Sequence, residues 1–283
     1  MENSCLTKRP NFVSQDWLRC TNGYAFLSPP SAERRDDVML SSSNLWDRLI
    51  CVTLQAQSGD FRNIDSLLYV IEHGPDVHIR DCAVRVFAQS APLSILPRLI
   101  NVYRHPDPDT RLEAYTATVM SCDLRLVESL AERRAQTRGF ERETIMDCIS
   151  NMLDPDIDNP EFVDSDLDDT AFTRRVRLIA DEFRKNLGSM IAIYRGAPIN
   201  AYTIIDKITS LCADEEAERH GGAIAELFAL LESMTGTPYS GCIDGDCAPV
   251  MQKISLTLNS LHQTHILKNF EIGHRYFFGH RIP

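Results

Sequence analysis

Lysine is scarce in this 283-residue chain: five are present, so the basic side chains are almost all arginine. Positive charge is short overall, with 29 Lys and Arg against 40 Asp and Glu, a formal net charge of −11. Nucleic-acid binding is driven by Lys and Arg at phosphates, so this balance argues against such a partner and favours a basic protein. Long apolar runs are also missing. The opening "MENSCLTKRPNF" has no apolar core of signal-peptide length, and no stretch approaches a membrane span. Nine cysteines are scattered without a small-scaffold framework, and an odd number without a secretion signal points to reduced thiols in the cytoplasm. There is no Gly-rich phosphate loop, no G-x-S-x-G and no H-E-x-x-H, so no catalytic residue, cofactor or metal is assigned.

What is present is ordinary for a globular protein: 43% hydrophobic and 24% charged residues, in a chain long enough for one large domain or two modest ones. Within it, "DVHIRDCA" (residues 76–83) is echoed by "DPDTRLEA" (107–114), 31 residues on. The same step aligns Arg80, Arg111 and Arg142, then Ala83, Ala114 and Ile145. Two further apolar columns follow, Ile64, Ile95 and Leu126, and Leu68, Leu99 and Leu130. One polar and three apolar columns in phase mark an internal repeat.

Each unit reads as two helices. Val77, Ala83, Val84, Phe87 and Ala88 share one helical face, with Asp76 at the N-cap and Arg80 one turn on. "PLSILPRLINVYRH" supplies the partner helix, with Pro97 near its first turns, and "HPDPDT" is the turn into the next unit. These motifs, with the period, resemble HEAT repeats, a family of stacked helical hairpins, over about residues 44–153. Asp76, Arg80 and Ala83 match the family pattern, as do Asp107, Arg111 and Ala114. The third unit keeps Arg142 but has Arg138 for the Asp and Ile145 for the Ala, and upstream Asn44, Arg48 and Cys51 lie one residue out of phase. The resemblance implies an all-α, HEAT-like solenoid lobe in which Arg80, Arg111 and Arg142 are structural, stabilising the stacking of one hairpin on the next.

The phase breaks in "DPDIDNPEFVDSDLDD". Residues 154–169 hold eight acids and no base: Asp154, Asp156, Asp158, Glu161, Asp164, Asp166, Asp168 and Asp169. Pro155 and Pro160 discourage a helix there. The alternate-position aspartates suggest a calcium loop, but the positions that need Gly and Glu hold Asn159 and Ser165, or Asp169 and Arg175. Two roles remain: a solvated connector that contributes little to folding, or a docking site for a cationic partner. The expected organisation is an N-terminal arm (1–43), the repeat lobe (44–153), the acidic loop (154–169) and a second helical lobe (170–283). That lobe has helical patterns at "DTAFTRRVRLIADEFRKNL", "NAYTIIDKITSLC", "ADEEAERHGGAIAELFALLESM" and "APVMQKISLTLNSLHQTHIL".

Two clusters could carry chemistry. Cys242, Cys247, His262 and His265 are zinc-ligand types, but the His-x2-His spacing is tighter than in a finger; loop thiols and surface histidines are the simpler assignment. The ending "IGHRYFFGHRIP" repeats Gly-His-Arg. Its aromatics are expected to pack on the last helices as a closing clasp, leaving His274, Arg275 and His280 at the surface as partner-binding candidates beside the eight acids. The size, acidity and closing "RYFFGHRIP" also resemble immunity proteins of bacterial toxin systems. The expected function is therefore non-enzymatic: a protein that masks a cognate, cationic toxin domain, with no nucleic-acid or membrane partner. A HEAT-like scaffold is the nearest alternative. A HEAT-like DNA glycosylase ranks lower, because it needs a basic groove.

Overall fold

The computed structural model describes residues 40–156, 161–162, 167–188, 192–213, 217–237, 239, 241–244, 248–264 and 266–283. Nearly all of the expected N-terminal arm lies outside these residues, as do Asp158, Asp164, Asp166, Cys247 and His265.

The fold is all-α. Helices α1 (Leu45–Gln57), α2 (Leu67–His73), α3 (Val77–Ser90), α4 (Pro108–Ser121), α5 (Val127–Arg134) and α6 (Phe140–Leu153) cover the repeat region. Beyond the acidic segment come α7 (Asp169–Leu187), α8 (Ala201–Ala213), α9 (Gly221–Thr235) and α10 (Met251–Thr264). The segment expected as a helix around Pro97 is instead a 3-10 helix, Leu96–Arg104, with Pro97 in its first turn where a missing N–H costs little. The Gly221–Gly222 pair falls where a 3-10 turn, Ala217–His220, gives way to α9.

The repeat motif explains the helix starts. Asp76 accepts from the Ile79 N–H at 3.0 Å, and Asp107 from Asp109 and Thr110 at 2.9 and 3.2 Å. Asn44 does the same for α1, accepting from Trp46 at 3.2 Å. The departing third unit has no side-chain cap: Gly139, at φ 54°, starts α6.

The arginine column ties each unit to itself and to the next. Arg48 donates to Ser42 O (2.8 Å), Arg80 to Gly74 O (2.6 Å) and Arg111 to His105 O (2.9 Å), each a carbonyl six residues upstream. Forward, Arg80 pairs with the Asp107 cap and donates to Thr110 Oγ1 at 2.9 Å. Arg111 grips Glu141 through two nitrogens at 2.9 and 3.2 Å, and Arg142 pairs with Asp169 at 2.9 Å. Each acid opens the next long helix, where negative charge is favoured. Arg133 and Tyr115 also converge on Glu141, and these hydrogen bonds, led by Arg111, hold its carboxyl down at about 2.

The buried apolar side chains form one cluster from Leu45 to Ile282, so residues on both sides of the acidic segment share a core. Two short antiparallel hairpins, which helical periodicity does not signal, join them: β1–β2 (Ile193–Tyr194, Ala197–Pro198) and β3–β4 (Tyr276–Phe277, His280–Arg281). Each turns through a residue and a glycine at positive φ, Arg195–Gly196 and Phe278–Gly279. Each turn also closes a helix. Arg195 N and Gly196 N donate to Asn151 O and Met152 O at the end of α6, at 3.0 and 2.9 Å. Phe278 N and Gly279 N donate to Ser233 O and Met234 O at the end of α9, at 2.8 and 2.7 Å.

Two tests follow from this geometry. Arg80→Ala strands a buried carbonyl, a hydroxyl and an acid, and should destabilise the fold by about 2–4 kcal/mol in denaturant melts. Arg142→Ala, at a more exposed pair, should cost about 1 kcal/mol or less; equal losses would show that the column does not act through burial. Gly196 has φ 67°, and an added Cβ would lie 2.7 Å from Leu153 O. Gly196→Ala should therefore cost more than about 1 kcal/mol.

Candidate functional site

The residues singled out in the acidic segment do not form one free surface. Asp154 is buried at the end of α6 and accepts from the Phe162 N–H at 3.2 Å; burial raises its pKa. Asp168 is the N-cap of α7, accepting from Ala171 N at 2.8 Å. Asp169, expected in the loop, is the first residue of α7 and joins Arg134 (2.6 Å) to Arg142. Glu161 pairs with Arg175. Asp156 is exposed. The expectation that the whole segment adds little to folding is thus corrected for Asp154, Asp168 and Asp169, whose carboxylates meet N–H groups or arginines because a helix ends or starts there.

The C-terminal segment packs as a clasp, with Phe277 fully buried and Tyr276 nearly so. Arg275, expected at the surface, is not there. Arg275 is 6% exposed and donates to Ala91 O and Ala88 O, at 2.7 and 2.6 Å, beyond and within the last turn of α3. Desolvation lowers its pKa to about 10, against the pull of Asp123. The correction has a physical cause: the last carbonyls of a helix need donors, and a guanidinium supplies several at once. His274 is half-buried between Glu271 and Arg281, and His280 is exposed with its ring against Gly59.

Of the zinc-ligand types, Cys242 is buried with Sγ 3.5 Å from Thr257 Oγ1, and His262 is exposed on α10. Among the described residues, no group of three or more His, Cys, Asp or Glu is placed to hold a metal ion. No described helix is long and apolar enough to cross a membrane.

A cleft of about 360 Å³ lies elsewhere, between α3, α4, α6 and α9. Three of its walls are the repeat itself. Arg85, Thr116 and Asp147 line it at the 31-residue step, as do Gln89, Met120 and Asn151. Glu113 and Thr144 form a pair at the same step. The fourth wall is one face of α9, where the small residues Gly222, Ala225 and Ala229 leave space beside Glu226.

The cleft is poor in free positive charge. Arg85 is held by both oxygens of Glu113, at 2.5 and 2.9 Å. Glu226 receives Asn151 Nδ2 at 3.4 Å. Burial pushes Glu226 up to about 7, with Arg195 and Tyr194 pulling the other way. Burial and the nearby Glu143 raise Asp147. Gln89 is 4% exposed, and its Oε1 has no hydrogen-bond partner. Cys148 is no nucleophile, because burial raises its thiol well above the ordinary value. The site can offer acceptors and apolar walls to a ligand that brings donors.

Sequence reasoning missed this site. Its signal was available: the columns through residues 85 and 89, polar except at Met120, repeat in step with the apolar ones, and Glu226 is a lone acid inside "AIAELFALL".

Glu226 sets a pH test. Its folded pKa lies above the unfolded value, so the folded state binds the extra proton. The stability this gives is complete below the unfolded pKa and is lost as pH rises through about 7. Glu226→Gln should stabilise the protein at pH 8 by up to about 3 kcal/mol, with little change at pH 4. Urea melts across that range provide the check, and a variant no more stable than the parent at pH 8 would refute the burial of this charge.

No protein-family model, curated protein or solved structure matches the chain.

Proposed function

We propose that the protein is a non-enzymatic binding protein that masks a cationic protein partner, in the manner of an inhibitor or immunity protein. The observation that carries this reading is where the arginines are spent. Arg62, Arg85, Arg125, Arg177, Arg184 and Arg281 all pair with carboxylates of the same chain, as do Arg80, Arg111 and Arg142 of the repeat column. An arginine neutralised in this way adds little positive field, while the chain retains a surplus of 11 acids. A DNA glycosylase would need those arginines on phosphates, which weighs against that alternative. The HEAT-like resemblance fits an extended binding surface, and a general scaffold differs from an inhibitor only in what is bound.

Asp154, Asp168 and Asp169 are engaged at helix ends, so the test of steering neutralises together the three acids of the segment that lie outside the described residues, Asp158, Asp164 and Asp166. Their replacement by Asn should leave the melting temperature nearly unchanged. It should slow association with a partner, such as the product of an adjacent gene, at least several-fold at low salt and much less at high salt, because attraction beyond about 10 Å is screened at 0.1 M. Association rates measured over a salt series decide it. Rates that ignore both salt and the substitutions would remove the electrostatic basis of the proposal.

A further inference from the structure

We propose that the cleft between α3, α4, α6 and α9 binds an alkylammonium group, with Glu226 and Asp147 taking the charge and Val119, Met120 and Ala229 covering the aliphatic stem. This site does not depend on the partner reading. Its foundation is a mismatch of hydrogen-bonding groups. The Gln89 amide, on a side chain 4% exposed, lines the open cleft, and its Oε1 has no donor. A native fold seldom leaves such an amide unmet; turning it by 180° exchanges Oε1 and Nε2 without changing its shape, and so offers the oxygen to a ligand that supplies the donor. The carboxylates of Glu226 and Asp147 line the same space, on α9 and α6.

The charge of the ligand follows from the walls. The cation lining the cleft, Arg85, is already engaged by both oxygens of Glu113, so an anion finds no ready counter-charge. A metal ion fits poorly, because no group of three or more His, Cys, Asp or Glu is placed for one among the described residues. An ammonium has three N–H donors that diverge, which suits acceptors carried on separate helices. A planar guanidinium asks instead for paired coplanar oxygens. Half of a long amine is apolar, and Val119, Met120, Ala225 and Ala229 provide matching surface. The stem and head of a lysine side chain and of a free aliphatic amine are chemically alike, so either source fits.

Calorimetry on the full chain distinguishes them. The probes are n-pentylamine, 1,5-diaminopentane, 1-pentanol and a short peptide containing one lysine with both ends blocked. Saturable binding of the amines but not of the alcohol is expected at pH 8. Affinity should fall about tenfold by pH 6, as Glu226 takes up a proton in place of the ligand. Glu226→Gln should weaken binding at least tenfold, and Gln89→Leu several-fold. Asp147→Asn provides a second carboxylate variant should either of these fold poorly. Binding of the lysine peptide with pentylamine-like affinity assigns the site to a protein side chain; binding of the free amines alone assigns it to a small amine. No saturable binding of any amine, equal binding of 1-pentanol, or affinity indifferent to both carboxylate substitutions overturns the proposal. Salt-dependent partner association would survive that result, so the two readings fail separately.

Discussion

The rest of the structure depends on how the helix ends find donors. An α-helix leaves its last four carbonyls without internal partners, and a bundle that buries those ends must supply N–H groups from elsewhere. Here α3, α4 and α6 end side by side, and residues 193–196 and 275 serve them all. Ile193 N donates to Cys122 O just past α4, the Arg195–Gly196 turn to the end of α6, and the Arg275 side chain to the end of α3. The second hairpin repeats the device on α9. Both hairpins therefore sit where they do because their turns present two successive N–H groups at positive φ.

The repeat region was the legible part of the fold. Asp76, Asp107 and the arginines at 80, 111 and 142 mark local events, a helix start and a reach to the next helix, so a fixed spacing records them. The third unit shows the limit of that spacing: without an Asp, α6 starts at Gly139, yet Arg111 still finds Glu141 in its first turn. The boundaries drawn at the acidic segment were less informative. They follow charge and proline, while the core runs through from Leu45 to Ile282. Arg275 was misplaced because its partners, Ala88 and Ala91, are more than 180 residues away and are carbonyls, which any residue could provide. The cleft stayed hidden for a related reason. Three of its walls follow the period, but the fourth, α9, carries no trace of it.

Charge is distributed by the same logic. Arginine rather than lysine suits a column that must satisfy a carbonyl behind and a carboxylate ahead at once, since one guanidinium offers five donors in a fixed fork. Arg80 uses three of its nitrogens on three different partners. Glu141 plays the reciprocal part, gathering Arg111, Arg133 and Tyr115. With 29 bases set against 40 acids, that pairing still leaves a surplus of negative charge, which gives the protein its negative field.

The distance in sequence between α3 and its capping arginine bears on how the chain folds as it is made. When Ala91 is added to the growing chain, the donors for the end of α3 are still 184 residues from synthesis. At about 5–20 residues per second, the interval is roughly 10–40 s. The end of α3 must spend that time with its carbonyls facing water. Hairpins 193–198 and 276–281 then arrive in order, the first closing α6 and the last, with Arg275 beside it, closing α9 and α3. Vectorial synthesis thus gives the molecule a direction of completion, in which α3 is sealed by a residue made 184 positions after its end.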